Sequence, residues 1–148
     1  MARTVLGHSV LRSEDPGLLT GSARFMADLE IEGALHAVFV RSHVAHGVVE
    51  AVHTAAAAEC DGVHSVWTAA DLDLPGQRAF SGDEALGRPL LAVDRVRFVG
   101  EAVAVVVAET LAQALDAAEE VTVEIDPLPA VADPVAAAAL WGGRSRAR

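Results

Sequence analysis

The clearest pattern of apolar positions along the chain lies in residues 95–109. Its second half, Val103–Val107, is an almost unbroken run of valine interrupted only by alanine. Valine is stiff at χ1 and favours strands over helices, and the run is much shorter than the roughly 20 apolar residues that cross a bilayer. Because both faces of such a strand are apolar, we expect it to be covered on both sides, as a central strand. Gly100 and Glu101 precede it, where glycine is typical of a bulge or a close backbone approach.

Shorter patterns of the same kind predict the remaining strands. Apolar or alternating runs that are bounded by turn residues such as glycine, aspartate and proline are typical of strands. They occur at residues 34–41, 48–53, 63–68 and 121–125.

Capping signals predict the helices. Thr110 and Gln113 form a capping box in front of apolar residues spaced i, i+3, i+4 and i+7, which predicts the clearest helix of the chain. Shorter helical turns are expected after Thr54, after a second capping box that begins at Thr68, and after Asp133.

Two segments share the order strand, short helix, strand. They are residues 48–68 and 102–125, and the likeness is one of pattern rather than of residue identity. The predicted fold class is therefore α/β (α+β), a sandwich in which two short helices pack on a mixed sheet.

The N- and C-terminal segments lack the strand and helix patterns of the central part of the chain. Residues 1–30 carry turn signals such as Asp15–Gly17 without a sustained period, and we expect an extended N-terminal arm followed by a domain at 31–138. Within that domain, residues 73–89 are rich in glycine and proline and predict a surface loop. Residues 139–148 form an Arg/Gly-rich tail, expected to be disordered, with a basic contact patch as the alternative.

The amino-acid composition limits the kinds of binding partner and the cell compartment that we expect for the chain. The chain has 148 residues, 52% hydrophobic but only 4% aromatic, so its core must be built from small aliphatic side chains. A formal net charge of −10 argues against nucleic acid as a partner, because phosphates would be repelled. No stretch has the length of a signal peptide's apolar region or of a membrane span, so no membrane partner is expected and the cytoplasm is the predicted location. Cys60, the only cysteine, is predicted to be a structural thiol.

The sequence contains no recognisable arrangement of catalytic side chains. His43 and His46 have a spacing that would suit a metal on a helix, but they fall in a predicted loop without a third acidic ligand. Glu101 is the best single acid, although it lacks an evident partner, and a structural role is favoured. Histidines 36, 53 and 64 fall in predicted strands. No nucleophile elbow and no phosphate-binding loop are present in the sequence, so no catalytic, cofactor-binding or metal-ligating residue is predicted.

A set of short motifs, spread over nearly the whole chain to about Ala138, carries a family resemblance. They lie at residues 12–15, 19–25, 28, 35–37, 40–42, 45–46, 62–63, 68–72, 89–92, 96–104, 114–118 and 126–131. In order and spacing they resemble the N-terminal part of the molybdopterin-binding large subunit of the xanthine dehydrogenase, aldehyde oxidase and carbon monoxide dehydrogenase family. The matching region of that family is a linker arm followed by an α/β-hammerhead domain. Two departures are His43, where the family commonly has proline, and His53, where it commonly has aspartate.

The resemblance implies an oxidoreductase that hydroxylates an aldehyde or a heterocycle with oxygen from water, using a molybdenum–molybdopterin cofactor. No position matches the family's cofactor-contacting or catalytic motifs, so the chain alone is expected to bind no cofactor and to be inactive. The first hypothesis is a structural and docking domain that lacks the cofactor-binding and catalytic domains. Its expected partners are those remaining domains and the iron–sulfur, and in some members FAD, subunits.

Two alternatives remain open from the sequence. One is a free-standing binding or assembly module derived from the same family. The other is a small enzyme that pairs Glu101 with a histidine from residues 36–64 as acid and base.

Overall fold

A computed structural model describes residues 7, 9, 12–29, 31–72 and 87–142. The chain divides into two compact units, with the boundary after Gly33. Most of the predicted loop at 73–89 and the last six residues of the predicted tail lie outside the described residues.

Two short helices lie in the described part of the first unit. Helix α1 spans Asp15–Thr20 and a 3₁₀ helix spans Met26–Asp28. The turn expected at Asp15–Gly17 is therefore the start of α1. Proline is compatible with a helix's first turn, where no intrahelical N–H bond is required, and Gly21 at the C-terminal end adopts φ +70.

The described residues of the second unit contain six strands and three helices. The strands are β1 His36–Arg41, β2 Gly47–His53, β3 Val63–Thr68, β4 Arg95–Val96, β5 Ala102–Ala108 and β6 Thr122–Pro127. The helices are α2 Ala55–Ala58, α3 Leu111–Glu119 and α4 Pro134–Gly142. None of the described helices is of a length and apolarity that would span a bilayer.

The strands form two sheets of three, ordered β1-β5-β3 and β4-β2-β6, and every described ladder is antiparallel. The α/β fold class is confirmed, but the predicted single mixed sheet is replaced by two antiparallel ones. The physical reason is the path of the two strand–helix–strand segments. Each crosses from one sheet to the other, so its two strands never become parallel neighbours.

The two segments pair reciprocally. The first strand of each segment pairs with the second strand of the other, β2 with β6 and β5 with β3, and helices α2 and α3 contact each other. The repeated pattern in the sequence thus corresponds to two strand–helix–strand segments that pair with each other.

Strand β5 is central, as the valine run predicts. It lies between β1 and β3, and Val103, Ala104, Val106 and Ala108 have no exposed surface. On one side, Ala104 and Val106 pack with small residues of α2 and α3. Val103 instead packs with Ala92 and Val96 in a second cluster, which includes residues of β2 and β6. The core is made of alanine and valine, so the backbones approach closely.

The predicted caps have different outcomes. In α3 the capping box is confirmed, because Thr110 N–H donates to Gln113 Oε1 at 3.0 Å and Gln113 N–H donates to Thr110 Oγ1 at 3.3 Å. Thr54 precedes α2 but forms no side-chain capping bond. After Thr68 the chain forms a turn and not a helix.

The helix expected after Asp133 is confirmed as α4. Asp133 Oδ1 accepts the N–H of Val135 at 2.8 Å. The helix continues through Gly142, so residues 139–142 of the predicted tail are helical.

Candidate functional site

Glu101 is one of the two buried polar residues of the described chain, with 4% of its surface exposed. It stands immediately before β5, at the end of the loop from β4. One carboxylate oxygen, Oε2, accepts the backbone N–H of Arg97, and Oε1 lies 3.3 Å from Arg97 Nη1. Both oxygens therefore bind the same residue four positions earlier. Glu101 closes the β4–β5 loop, which is a structural role.

The backbone around Glu101 joins this loop to the end of β1. Ser42 N–H donates to Glu101 O at 2.9 Å, and Gly100 N–H donates to Ser42 O at 2.7 Å. Gly100 has φ +90, a left-handed conformation that favours glycine. The Arg41 guanidinium donates from Nη1 to Gly100 O at 2.9 Å. The expected close backbone approach is not what requires glycine here, because a Cβ added at Gly100 would meet no heavy atom within 4 Å. The left-handed conformation requires it, and the expected irregularity lies beside it, where the β1–β5 register shifts between Val40 and Arg41.

An aspartate at the start of β4 balances the neighbouring arginines. Asp94 lies 2.9 Å from Arg95 Nε and 3.4 Å from Arg97 Nη2. The hydrogen bond from the Arg95 guanidinium holds the pKa of Asp94 below its ordinary value. Arg95 and Arg97 are therefore both paired with carboxylates.

In the part of the chain that the structure describes, no hydrogen bond or ion pair joins a histidine to Glu101. Among the described hydrogen bonds and ion pairs, His46 Nδ1 lies 3.1 Å from Pro129 O, and His53 Nε2 lies 2.9 Å from Glu124 Oε1. His64 Nε2 is 3.9 Å from Glu109 Oε1. His43 and His46 lie in the loop between β1 and β2, as expected, and not on a helix.

Two concavities flank the β4–β5 loop. The larger, of about 480 Å³, is lined by His46, Arg97, Phe98, Val99 and the segment 129–132. The other, of about 310 Å³, has both polar and apolar lining residues: Arg41, Arg88, Gly100 and Glu101, and Pro89, Leu90, Phe98 and Ala102. We call this second concavity the arginine pocket.

Sequence reasoning missed the arginine pocket. Its members come from β1, from residues 88–90 and from the β4–β5 loop, and only the fold brings them together. One local signal was available, because Phe39 and Arg41 are two residues apart on a predicted strand and therefore share a face. The Arg41 guanidinium carbon lies 5.7 Å from the centre of the Phe39 ring.

Fold and geometry together define a class of protein. Two small antiparallel sheets hold three short helices, and the buried carboxylate closes a loop. These elements define a small α/β domain built on two antiparallel sheets. The chain matches the α/β-hammerhead domain of aldehyde oxidase and xanthine dehydrogenase over residues 20–129, and it belongs to that family.

Individual relatives agree with this assignment. The chain is 45% identical over 139 residues to the large subunit of nicotine 6-hydroxylase from Paenarthrobacter nicotinovorans, covering 90% of this chain and 17% of that subunit. Quinoline 2-oxidoreductase from Pseudomonas putida 86 superimposes with a TM-score of 0.78 at 41% identity, covering 95% and 18% of the two chains. The Cu,Mo-containing carbon monoxide dehydrogenase superimposes with a TM-score of 0.80 at 36% identity, covering 88% and 16%.

The chain thus corresponds to the hammerhead domain of molybdenum hydroxylase large subunits, and it spans less than a fifth of the relatives it matches. The resemblance found in the sequence is confirmed. Among these relatives, the nicotine 6-hydroxylase match is a large subunit, and the carbon monoxide dehydrogenase contains copper and molybdenum.

Within the ranges that the structure describes, no three side chains of histidine, cysteine, aspartate or glutamate converge as metal ligands. The oxygens of Glu101 bind Arg97, and the Cys60 thiol, just after α2, donates to Ala56 O at 3.5 Å.

Proposed function

We propose that this chain acts as a structural and docking domain of a molybdenum hydroxylase large subunit. It contributes surfaces that hold other parts of the enzyme together, and it contributes no reacting group. A domain of this kind needs a stable core and apolar surface that remains exposed until a partner covers it.

The observation that carries the proposal is an exposed aromatic row on the sheet β1-β5-β3. Phe39 and Trp67 both pair with Val105, one from each side, so the three side chains lie side by side on one face. Val40 and Val66, which are adjacent in sequence to Phe39 and Trp67, pack toward the helices. The aromatic row therefore faces away from the helices, and Phe39 is 46% and Trp67 40% exposed.

Exposed apolar side chains in the first unit support the same role. Leu19, Phe25 and Met26 are 86%, 64% and 87% exposed. We propose that residues 1–30 form an arm that contacts a partner and that residues 31–138 form the hammerhead domain.

The proposed partners are the remaining molybdopterin-binding domains of the large subunit and the iron–sulfur and FAD subunits of the enzyme. When bound to those domains, a molybdenum–molybdopterin group supplies hydroxylation of an aldehyde or heterocycle. In this proposal the chain itself binds no molybdenum. We also propose a cytoplasmic location, since a chain with a single cysteine forms no internal disulfide and suits a reducing compartment.

Complementation tests the proposal. The nicotine 6-hydroxylase large subunit would be expressed without the segment that matches this chain, with its partner subunits, in the presence or absence of this chain. We expect the chain to co-purify stoichiometrically with the shortened subunit and to increase its yield of folded, molybdenum-loaded protein. Absence of any complex, with both components folded, would contradict docking and favour a free-standing module.

A further inference from the structure

Among the described residues, the arginine pocket contains two guanidinium groups that no carboxylate pairs with. The described arginines of the second unit are Arg41, Arg88, Arg95 and Arg97. Two of them, Arg95 and Arg97, pair with Asp94 and Glu101. Among the described residues, Arg41 and Arg88 form no ion pair with a carboxylate, although the chain as a whole carries a net charge of −10.

Both guanidinium groups are held in place by uncharged partners. Arg41 donates to the backbone oxygen of Gly100 and lies against the Phe39 ring. Arg88 lies over the Phe98 ring, with its guanidinium carbon 5.6 Å from the ring centre. Contacts with backbone oxygen and aromatic faces orient a guanidinium and leave its charge unneutralised.

Glu101 also lines this pocket, but its carboxylate is paired with Arg97 and forms no ion pair with Arg41 or Arg88 among the described contacts. Its two oxygens bind Arg97, and its side chain is only 5% exposed. An acidic group that enters the pocket would therefore meet two oriented guanidinium groups and an apolar wall formed by Pro89, Leu90 and Phe98.

The pocket continues into the exposed aromatic row. Arg41 contributes to both, because its guanidinium lines the pocket while lying beside Phe39. Phe39 pairs with Val105, which pairs with Trp67. A ligand anchored in the pocket by a carboxylate would thus find apolar surface extending away from it, which a single small anion would not use.

We propose that the arginine pocket and the aromatic row form one docking surface for an acidic, apolar peptide segment, with a glutamate or aspartate side chain seated between Arg41 and Arg88. Guanidinium groups bind carboxylates through strong charge-assisted hydrogen bonds. The inference rests on the proposed docking function and names the chemistry of the segment that docks.

Binding of a short capped peptide with alternating leucine and glutamate tests the inference. Calorimetry would measure affinity for the full 148-residue chain, and ¹H–¹⁵N spectra would locate the contact. We expect perturbed signals at Arg41, Phe98, Gly100 and the Trp67 indole, and at least about tenfold weaker binding when glutamine replaces glutamate in the peptide.

Matched variants identify the arginines responsible. Arg41→Gln and Arg88→Gln should each weaken binding of the glutamate peptide severalfold and leave the glutamine peptide unaffected. Arg88→Gln is the safer variant, since Arg41 also bonds Gly100. Arg95→Gln, which removes a guanidinium paired with Asp94 outside the pocket, should bind like the unaltered chain.

Three results would overturn the inference: no binding of the glutamate peptide, equal binding of the glutamine peptide, or equal losses in all three variants. Free glutarate provides the test of a small-molecule site, and binding as tight as that of the peptide would also overturn it. In the complementation experiment, a complex that forms equally well with the Arg41→Gln, Arg88→Gln double variant would refute this surface while leaving the docking function standing.

Discussion

Replacing Glu101 by glutamine is the sharpest perturbation of the domain. The substitution keeps the shape of the side chain and one acceptor oxygen, which can still receive the backbone N–H of Arg97. It removes the negative charge that faces the Arg97 guanidinium and turns an amide N–H₂ toward it. If Glu101 holds the loop before the central strand, the free energy of unfolding must fall.

The magnitude follows from burial. A hydrogen bond to a charged group contributes about 1.5–3 kcal/mol, more than a neutral one. The Glu101 side chain is 5% exposed, so solvent does not replace the lost interaction there, whereas Arg97 is 38% exposed and recovers part of its hydration. We therefore expect Glu101→Gln to cost about 2 kcal/mol. Glu101→Ala, which also leaves the Arg97 N–H without its acceptor, should cost about 1 kcal/mol more.

Urea unfolding followed by circular dichroism measures these differences as shifts of the midpoint at constant slope. The matched control is Glu124→Gln, which removes a carboxylate from an exposed pair with His53. Exposed pairs contribute little, so the control should stay within about 0.5 kcal/mol of the unaltered chain. A Glu101→Gln protein as stable as this control would refute the structural role of Glu101.

Three other changes have expected outcomes. Gly47→Ala should cost about 1–3 kcal/mol in urea unfolding, because an added Cβ would lie 2.7 Å from Asp126 O and also meet a side chain of the paired strand; an unchanged midpoint would contradict this close approach. Thr110→Ala should cost about 1 kcal/mol by the same assay, through loss of the cap of α3, and no loss would mean that the cap is dispensable. Hydrogen bonds from the backbone N–H and, second, the hydroxyl of Thr68 lower the pKa of Asp71 in the folded chain. The ionised Asp71 carboxylate therefore stabilises the fold fully at a pH above its ordinary pKa of 3.8, and this stabilisation is lost as the pH falls through the lower folded pKa. Thr68→Val should raise the pKa measured by NMR titration, and an unchanged pKa would contradict the role of the hydroxyl.

Five of the six described strands were predictable because their signals are local, whereas the two-residue β4 was not predicted. The valine run identifies β5 as central from residues 103–107 alone, since apolar side chains on both faces require cover on both sides. The capping box of Thr110 and Gln113 likewise lies within four residues. Element boundaries differ by one or two residues, as expected where helix and strand ends fray.

The division into two sheets was not predictable from the same signals. Pairing between β1 and β5 joins residues that are far apart in the chain, such as Val38 and Val106. The residues within each strand do not indicate with which other strand it pairs. The strand–helix–strand pattern suggested a shared sheet, and the chain uses the helices to cross between sheets instead.

The candidate site follows the same rule. Glu101 was recognisable from its place before the central strand, and its partner Arg97 lies only four residues away. The arginine pocket depends on the close approach of Arg41 to Gly100 and of Arg88 to Phe98. Such tertiary contacts have no counterpart in sequence spacing.

The most direct test of a docking domain without a reaction centre is the molybdenum content of this chain, measured alone and in its complex. The chain would be purified by itself and with the shortened large subunit, and metal would be quantified by mass spectrometry together with oxidation of an aldehyde or heterocycle. Molybdenum and activity in the complex, with neither in the isolated chain, is the expected result. Stoichiometric molybdenum and substrate oxidation by the isolated, folded chain would contradict it.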